Sequence, residues 1–330
     1  MQTEQDIQHL AILMPSWLGD VVMSSCIWKM ARRTYPNAKI TAVIRPHLAP
    51  ILDGIDAIDE VLSLDMKASV FAAAKQLKSI EADAIVLLPN SFRSALIAKL
   101  SGIKQRWGYK RDWRTWLLTR GVDVQKQMRP TPTTEYYLHV ANTLFGLNET
   151  DALPTLGTQL ELPEVVQKLS HPLVLFVAGA SKEQKRWSPE NFARTADALS
   201  EVGMTCACIG SPDEYELVQE VVLAATAPIH NLTRSGIALG SLPTVIAHAD
   251  LVITNDTGPR HLSIAVGTPV ITLYGPTDFR WTQYQCDTDI ALLADPFLPI
   301  ELVADSNQDR CNINNIPPSD VIACALKFLK

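Results

Sequence analysis

A chain of 330 residues is longer than the roughly 250 to 300 at which one hydrophobic core stops growing, so two domains are expected. Its 47% hydrophobic and 19% charged content, with no low-complexity tract, excludes disordered and fibrous classes. A formal charge of −6 excludes wholesale nucleic-acid binding but is compatible with a local basic patch toward an anionic ligand.

Residues 1–9 are polar and carry Glu4 and Asp6 in place of the basic start of a secretory signal, and no apolar run reaches the roughly 18 residues of a membrane span. A cytoplasmic location is expected. The cysteines (Cys26, Cys206, Cys208, Cys286, Cys311, Cys324) form no C-x-x-C pair, which removes zinc ribbons and thioredoxin-type sites and points to reduced thiols.

In chain order, residues 10–14 read as a buried strand. After Pro15-Ser16-Trp17-Leu18-Gly19-Asp20, the spacing of Met23, Ile27, Met30 and Ala31 marks one face of a helix. Strand-like runs at 40–44, 61–64 and 84–88 alternate with helical stretches, the rhythm of a parallel sheet covered by helices. From Leu153-Pro154 to about Pro172 the periodicity is weak, and at 173–177 the rhythm restarts, with further strands near 205–209, 229–232, 251–254 and 270–274. The chain therefore divides into α/β domains at 1–160 and 161–330. Parallel sheets bind ligands at the carboxyl ends of their strands, so the site is expected in a cleft between the two sheets.

The dinucleotide fingerprint G-x-G-x-x-G is missing after Met14 and the Walker pattern occurs nowhere, which moves NAD enzymes and P-loop ATPases down the ranking. The triplet Asp287-Thr288-Asp289 offers only two carboxylates, a poor metal cage, so no metal site is expected. Asp20, where the first strand yields to a helix, can accept a proton from a substrate hydroxyl, although an N-cap or first-turn Asp fits the same position.

Asn255-Asp256-Thr257-Gly258-Pro259-Arg260-His261 follows a strand and opens a helix whose free N–H groups make an anion site. Gly258 permits close backbone approach to a phosphate, and His261 can add a hydrogen bond or positive charge; a capped helix with a surface His is the alternative. In the 178–187 loop, the Ser181 hydroxyl and the cations Lys182, Lys185 and Arg186 suit phosphate oxygens, against the alternative of a solvated basic loop. Glu214, at the next strand end, suits ribose hydroxyls or a plain first-turn role.

Together Pro15-Ser16-Trp17-Leu18-Gly19-Asp20, Lys185-Arg186-Trp187, Asp256-Thr257-Gly258-Pro259-Arg260-His261 and Leu273-Tyr274-Gly275-Pro276-Thr277 resemble the ADP-heptose:lipopolysaccharide heptosyltransferases over nearly the whole chain. Leu88-Pro89-Asn90-Ser91-Phe92-Arg93-Ser94-Ala95, Gly102-Ile103 and Arg106-Trp107-Gly108-Tyr109 look most like the heptosyltransferase II branch. The resemblance implies a type B glycosyltransferase fold of two Rossmann-like domains, with acceptor on residues 1–160 and nucleotide sugar on 161–330. It implies inverting, metal-independent transfer of L-glycero-D-manno-heptose from ADP-heptose to a heptose hydroxyl of the lipopolysaccharide inner core, with no cofactor.

By that resemblance Asp20 is the catalytic base, Ser181 and Lys185 hold the donor diphosphate with the turn Asp256, Thr257, Gly258 and His261, and Glu214 binds ribose. Asn90, Arg93 and Arg45 are assigned to the acceptor, and the cations Arg45, Arg93, Arg106, Lys110 and Arg111 suit core phosphates or acidic sugars, against the alternative for each of an ordinary surface charge. A lipid-linked acceptor implies peripheral contact at the inner face of the inner membrane. Two departures from the family pattern stand out: Arg260, where a small or apolar residue is common, and Ala178-Gly179-Ala180 in place of Pro-Gly-Ala. Trp17, Trp28, Trp107, Trp113 and Trp116 read as packing residues, with Trp113-Arg114-Thr115-Trp116 as one helix face. Competing readings are a type B transferase with another donor or acceptor, a nucleotide-sugar epimerase, and an inactive nucleotide-sugar-binding relative, against which the joint presence of Asp20, Lys185 and His261 weighs.

Overall fold

Buried apolar runs build two parallel sheets, each within its own unit. The computed structural model describes residues 7–124, 131–158, 160–294 and 311–328, and the chain divides into units Met1–Pro154 and Thr155–Lys330. The division falls at 154/155 because the next residues attach to the second unit: Leu156 N donates to Ala265 O, and Thr244 Oγ1 donates to Leu160 O.

The first unit runs β1 (His9–Leu13), α1 (Leu18–Met23), α2 (Ser25–Thr34), β2 (Lys39–Ile44), β3 (Glu60–Ser63), α3 (Val70–Lys78), β4 (Ala84–Leu87), α4 (Phe92–Leu100), β5 (Gln105–Tyr109), β6 (Arg120–Val122) and α5 (Thr133–Phe145). Its sheet has the order β3-β2-β1-β4-β5-β6, every pairing parallel. β1 and β4 are apolar on both faces because helices cover both sides of the sheet. Met23, Ile27, Met30 and Ala31 are all buried, but the helix they share is broken at Ser24, whose Oγ donates to Val21 O at 2.8 Å.

The second unit runs α6 (Glu164–Gln167), β7 (Leu173–Val177), α7 (Pro189–Glu201), β8 (Thr205–Cys208), α8 (Tyr215–Ala224), β9 (Ile229–Asn231), α9 (Leu242–Ala247), β10 (Leu251–Asn255), α10 (Gly258–Val266), β11 (Val270–Tyr274), β12 (Asp289–Leu293) and α11 (Pro318–Phe328). Its order β12-β11-β10-β7-β8-β9 repeats the topology of the first sheet. In each sheet the order reverses beside the first strand, between β1 and β4 and between β7 and β10. Loops diverge at such a switch point and leave a crevice at the carboxyl ends, where ligands of this fold class bind.

Three strands carry no clean apolar signal in the sequence: β5, β6 and β12 contain Arg106, Arg120 and Asp289. The stretch from Trp113 to Trp116 is not a helix face. Asp112 and Trp113 are left-handed (φ 53° and 61°), a short 3-10 turn covers Thr115–Leu117, and Trp113 and Trp116 are exposed. The reason is Arg114, which is fully buried and donates to Tyr109 O, Pro89 O and Asn90 Oδ1. Gly108 makes room for it, since a Cβ there would lie 2.8 Å from Leu87 O and 3.1 Å from Arg114 Nη2.

Candidate active site

Asp20 is the third residue of α1, just past the carboxyl end of β1. Trp17 takes the N-cap position in an extended conformation, so Asp20 does not cap the helix. Its carboxylate has no hydrogen bond or ion pair among the described residues, and burial pushes its pKa up to about 6. The buried phenol of Tyr137 on α5 feels the Asp20 charge and is itself pushed upward, first by its own burial and then by Asp20. A desolvated carboxylate without a partner destabilises a fold and is a signature of a functional group.

The three assigned acceptor residues differ in how their polar groups are used. Asn90 is engaged on both sides: Nδ2 donates to Tyr136 OH at 2.8 Å and Oδ1 accepts from Arg114 Nη2 at 3.0 Å. Arg93 donates to Met66 O at 3.0 Å and to Ala68 O, tying the first turn of α4 to the segment before α3. Arg45, at the carboxyl end of β2, is half-buried, and its guanidinium has no partner among the described residues. Arg106 also turns inward, onto the carbonyls of Ile103, Lys104 and Leu117.

In the second unit, Asn255 at the end of β10 joins two loops. Its Oδ1 accepts from Trp187 N at 3.0 Å and its Nδ2 donates to Ala178 O at 2.8 Å. That link brings Lys185 to Asp256, with Nζ 3.2 Å from Oδ2, and Thr277 Oγ1 donates to the same oxygen at 3.0 Å. Burial alone would push Asp256 upward; the Lys185 and Arg260 charges and the Thr277 hydrogen bond outweigh it and hold the carboxyl below its usual range. Ser181 stands exposed in the same loop with no hydrogen bond among the described residues.

Thr257 is the N-cap of α10 without a side-chain cap bond, and Gly258 and Pro259 begin the helix. No side chain competes there for the first-turn amides, the condition for anion binding at a helix N-terminus. His261 is buried, its Nδ1 2.5 Å from Tyr284 OH. Burial, followed by the Arg260 charge, pushes its pKa down to about 3. The imidazole is therefore neutral at physiological pH, so of the two expected contributions, a hydrogen bond or a positive charge, it is the hydrogen bond that His261 can make.

Arg260, the departure from the family pattern, is fully buried. It pairs with Asp289 at 2.6 Å, donates to Thr282 O at 2.9 Å, and lies against the Tyr274 and Tyr284 rings at 5.3 and 4.9 Å. The Asp289 carboxylate of the Asp287-Thr288-Asp289 triplet is thereby committed to an internal ion pair. Glu214 does serve locally, its Oε2 accepting from Ser211 N at 2.7 Å and Ser211 Oγ at 3.0 Å. Its other oxygen lies over Gly179, where a Cβ would come within 1.8 Å of Oε1. The glycine of the β7 loop is thus what admits this carboxylate to the crevice of the second unit.

Two parallel sheets of the same doubly wound order, with a base candidate on one and a cation–amide cradle on the other, are the parts of a type B glycosyltransferase. The chain belongs to glycosyltransferase family 9 (heptosyltransferase), whose model matches residues 70–295. Asp20 and Arg45 precede the matched region. Lipopolysaccharide heptosyltransferase 2 of Escherichia coli (strain K12) is 25% identical over 294 residues, covering 83% of this chain and 84% of its own. Lipooligosaccharide heptosyltransferase 2 of Haemophilus influenzae is 26% identical over 297 residues, 83% and 85% of the two chains. Among solved structures, E. coli ADP-heptose lps heptosyltransferase II superposes with a TM-score of 0.80 at 22% identity, over 97% of this chain and 98% of that one. A family 9 glycosyl transferase from Veillonella parvula gives 0.83 at 24%, over 99% and 98%. The protein is a glycosyltransferase, a heptosyltransferase of lipopolysaccharide inner-core synthesis.

Proposed function

We propose that the enzyme transfers L-glycero-D-manno-heptose from ADP-heptose to a heptose hydroxyl of the lipopolysaccharide inner core, in the cytoplasm, with inversion and without a metal. The observation that carries the mechanism is the unpartnered, desolvated carboxylate of Asp20 at the sheet switch point. Asp20 takes the proton of the acceptor hydroxyl, whose oxygen attacks the anomeric carbon as the bond from that carbon to the diphosphate oxygen breaks. The electron pair leaves with ADP. One displacement inverts the centre, and general-base assistance of this kind contributes about 10² to 10⁴-fold.

The second unit receives the leaving charge. Lys185, oriented by Asp256, and the first-turn amides of α10 with Ser181 Oγ meet the diphosphate, and Glu214 Oε1 accepts from ribose. These donors take the place a metal would fill in other transferases. On the acceptor side Arg45 is the cation with an unspent guanidinium, suited to a core phosphate or acidic sugar; Asn90 and Arg93 shape the loop beside it. Structures of the related E. coli heptosyltransferase WaaC, one with ADP and one with ADP-2-deoxy-2-fluoro heptose, support a nucleotide-sugar donor.

The test mixes purified enzyme with ADP-heptose and a heptose-deficient core acceptor and follows ADP release and acceptor mass, in parallel with and without EDTA. The acceptor should gain one heptose, and Asp20→Ala should lose turnover while still binding ADP-heptose. Transfer from another nucleotide sugar with none from ADP-heptose would reject the donor, and loss of turnover in EDTA would reject metal independence.

A further inference from the structure

Four exposed aromatic rings stand on segments that follow the carboxyl ends of the first unit's strands. Phe71 lies in the first turn of α3 and is 77% exposed, Phe92 opens α4, and Trp113 and Trp116, 93% and 65% exposed, lie between β5 and β6. The rings of Phe92 and Trp116 are 5.9 Å apart, and Lys99 Nζ lies 5.6 Å from the Trp116 ring centre. Arg93 ties the start of α4 to the carbonyls of Met66 and Ala68 just ahead of α3, which keeps Phe71 on this side of the unit.

The outward aim of Trp113 is enforced. Asp112 and Trp113 are consecutive left-handed residues, a backbone state that side chains other than glycine adopt reluctantly, and the buried Arg114 clamps the turn from beneath. Exposing a large ring on a strained turn has a cost that internal packing does not return.

Charge supplies the second observation. The stretches that carry the rings, 64–71, 88–99 and 110–119, hold six Lys and Arg against two Asp, a net of +4 in a chain whose total is −6. Arg93 and Arg114 donate to carbonyls, yet a bonded guanidinium keeps its charge; Lys110 is paired with Asp123, and with that pair set aside these stretches stay positive. Exposed Trp and Phe interleaved with cations is the composition of surfaces that sit in the headgroup layer of a bilayer, where the ring is half apolar and the cation meets lipid phosphate.

We propose that this face of the first unit docks on an anionic phospholipid bilayer, with Trp113 and Trp116 entering the headgroup layer and Lys99 among the cations facing phosphate. The proposal deepens the lipid-linked acceptor reading and rests on it for its purpose, because the same strand ends carry Asp20. A sugar-stacking role suits these rings less: Trp113 at 93% exposure stands clear of any wall against which a sugar could be sandwiched.

The experiment is flotation of the full chain with phosphatidylethanolamine–phosphatidylglycerol vesicles and with phosphatidylcholine vesicles. It is paired with transfer to the same acceptor, once embedded in vesicles and once deacylated in solution. Wild-type protein should float with the anionic vesicles and be released by salt. The Trp113→Ser/Trp116→Ser variant should lose about tenfold in vesicle partition and a similar factor in transfer to the embedded acceptor, while keeping the wild-type rate on the deacylated one. Lys99→Glu should weaken flotation with both rings intact, and thermal melts confirm that the variants fold. Unchanged flotation of the double variant overturns the proposal, and so does an equal rate loss on the deacylated acceptor, which would make the rings a sugar contact. Flotation needs no turnover, so intact flotation without heptose transfer would overturn the function and leave the surface standing.

Discussion

A carboxylate whose pKa is raised to about 6 announces itself in two pH dependences of opposite sense. As a base Asp20 works deprotonated, so kcat/KM should rise as pH climbs through about 6 and level off above it. In the stability of the fold the sign reverses. The folded pKa lies above the unfolded one, so the contribution of Asp20 is fully present below about 4 and is lost as pH rises through 6. Asp20→Asn should therefore resist urea better than wild type at pH 8 and no better at pH 4, measured by equilibrium unfolding. His261, held near 3 in the fold against 6.5 unfolded, adds no inflection to kcat/KM above pH 4, but its contribution to stability is fully present above about 6.5 and is lost as pH falls toward 3. At Gly179 the prediction is steric: Gly179→Ala collides with Glu214 Oε1, so the KM for ADP-heptose should rise several-fold with kcat little changed, by steady-state kinetics.

Among elements, α10 and β12 depend on each other through a buried pair, Arg260 with Asp289, whose side chains are 0% and 4% exposed. Breaking a buried ion pair from one side leaves a desolvated charge and typically costs about 3 to 5 kcal/mol, whereas replacing both members with apolar groups is often close to neutral. Asp289→Ala should lower the denaturant midpoint sharply, and Arg260→Met/Asp289→Leu should recover most of the loss. If the single and double variants unfold alike, the pair does not hold α10 to β12. The buried arginine is accommodated because its partner and the aromatic walls come with it. In the first unit Arg114 has the corresponding task, drawing the β5–β6 connection onto the carboxyl end of β4 through Pro89 O and Asn90.

For the whole molecule, the cradle residues Ser181, Lys185, Glu214 and Asp256 to His261 all belong to the unit Thr155–Lys330. A ligand bound by one unit stabilises that unit by mass action, about 2.7 kcal/mol at a hundredfold excess over Kd. Calorimetry with ADP should therefore raise the unfolding temperature, and Lys185→Met should abolish most of the rise. A full ADP shift in Lys185→Met would place the diphosphate elsewhere. Among the described residues no helix is long and apolar enough to cross a membrane.

The apolar periodicity by itself determined the alternation of strand and helix and the crevice ends at which Asp20, Lys185, Glu214 and the 255–261 turn stand. Buried parallel strands leave continuous hydrophobic runs that need no tertiary context to be read. Tertiary structure alone decided the charges and pairings, because these depend on groups far apart in the chain and on burial. Lys185 meets Asp256 across 71 positions and Arg260 meets Asp289 across 29. Desolvation makes His261 neutral and keeps Asp20 poised near 6, and the inward turn of Arg114 onto Tyr109 O, Pro89 O and Asn90 left Trp113 and Trp116 facing solvent. A local pattern records which side of an element is apolar; it does not record which distant group satisfies a buried charge.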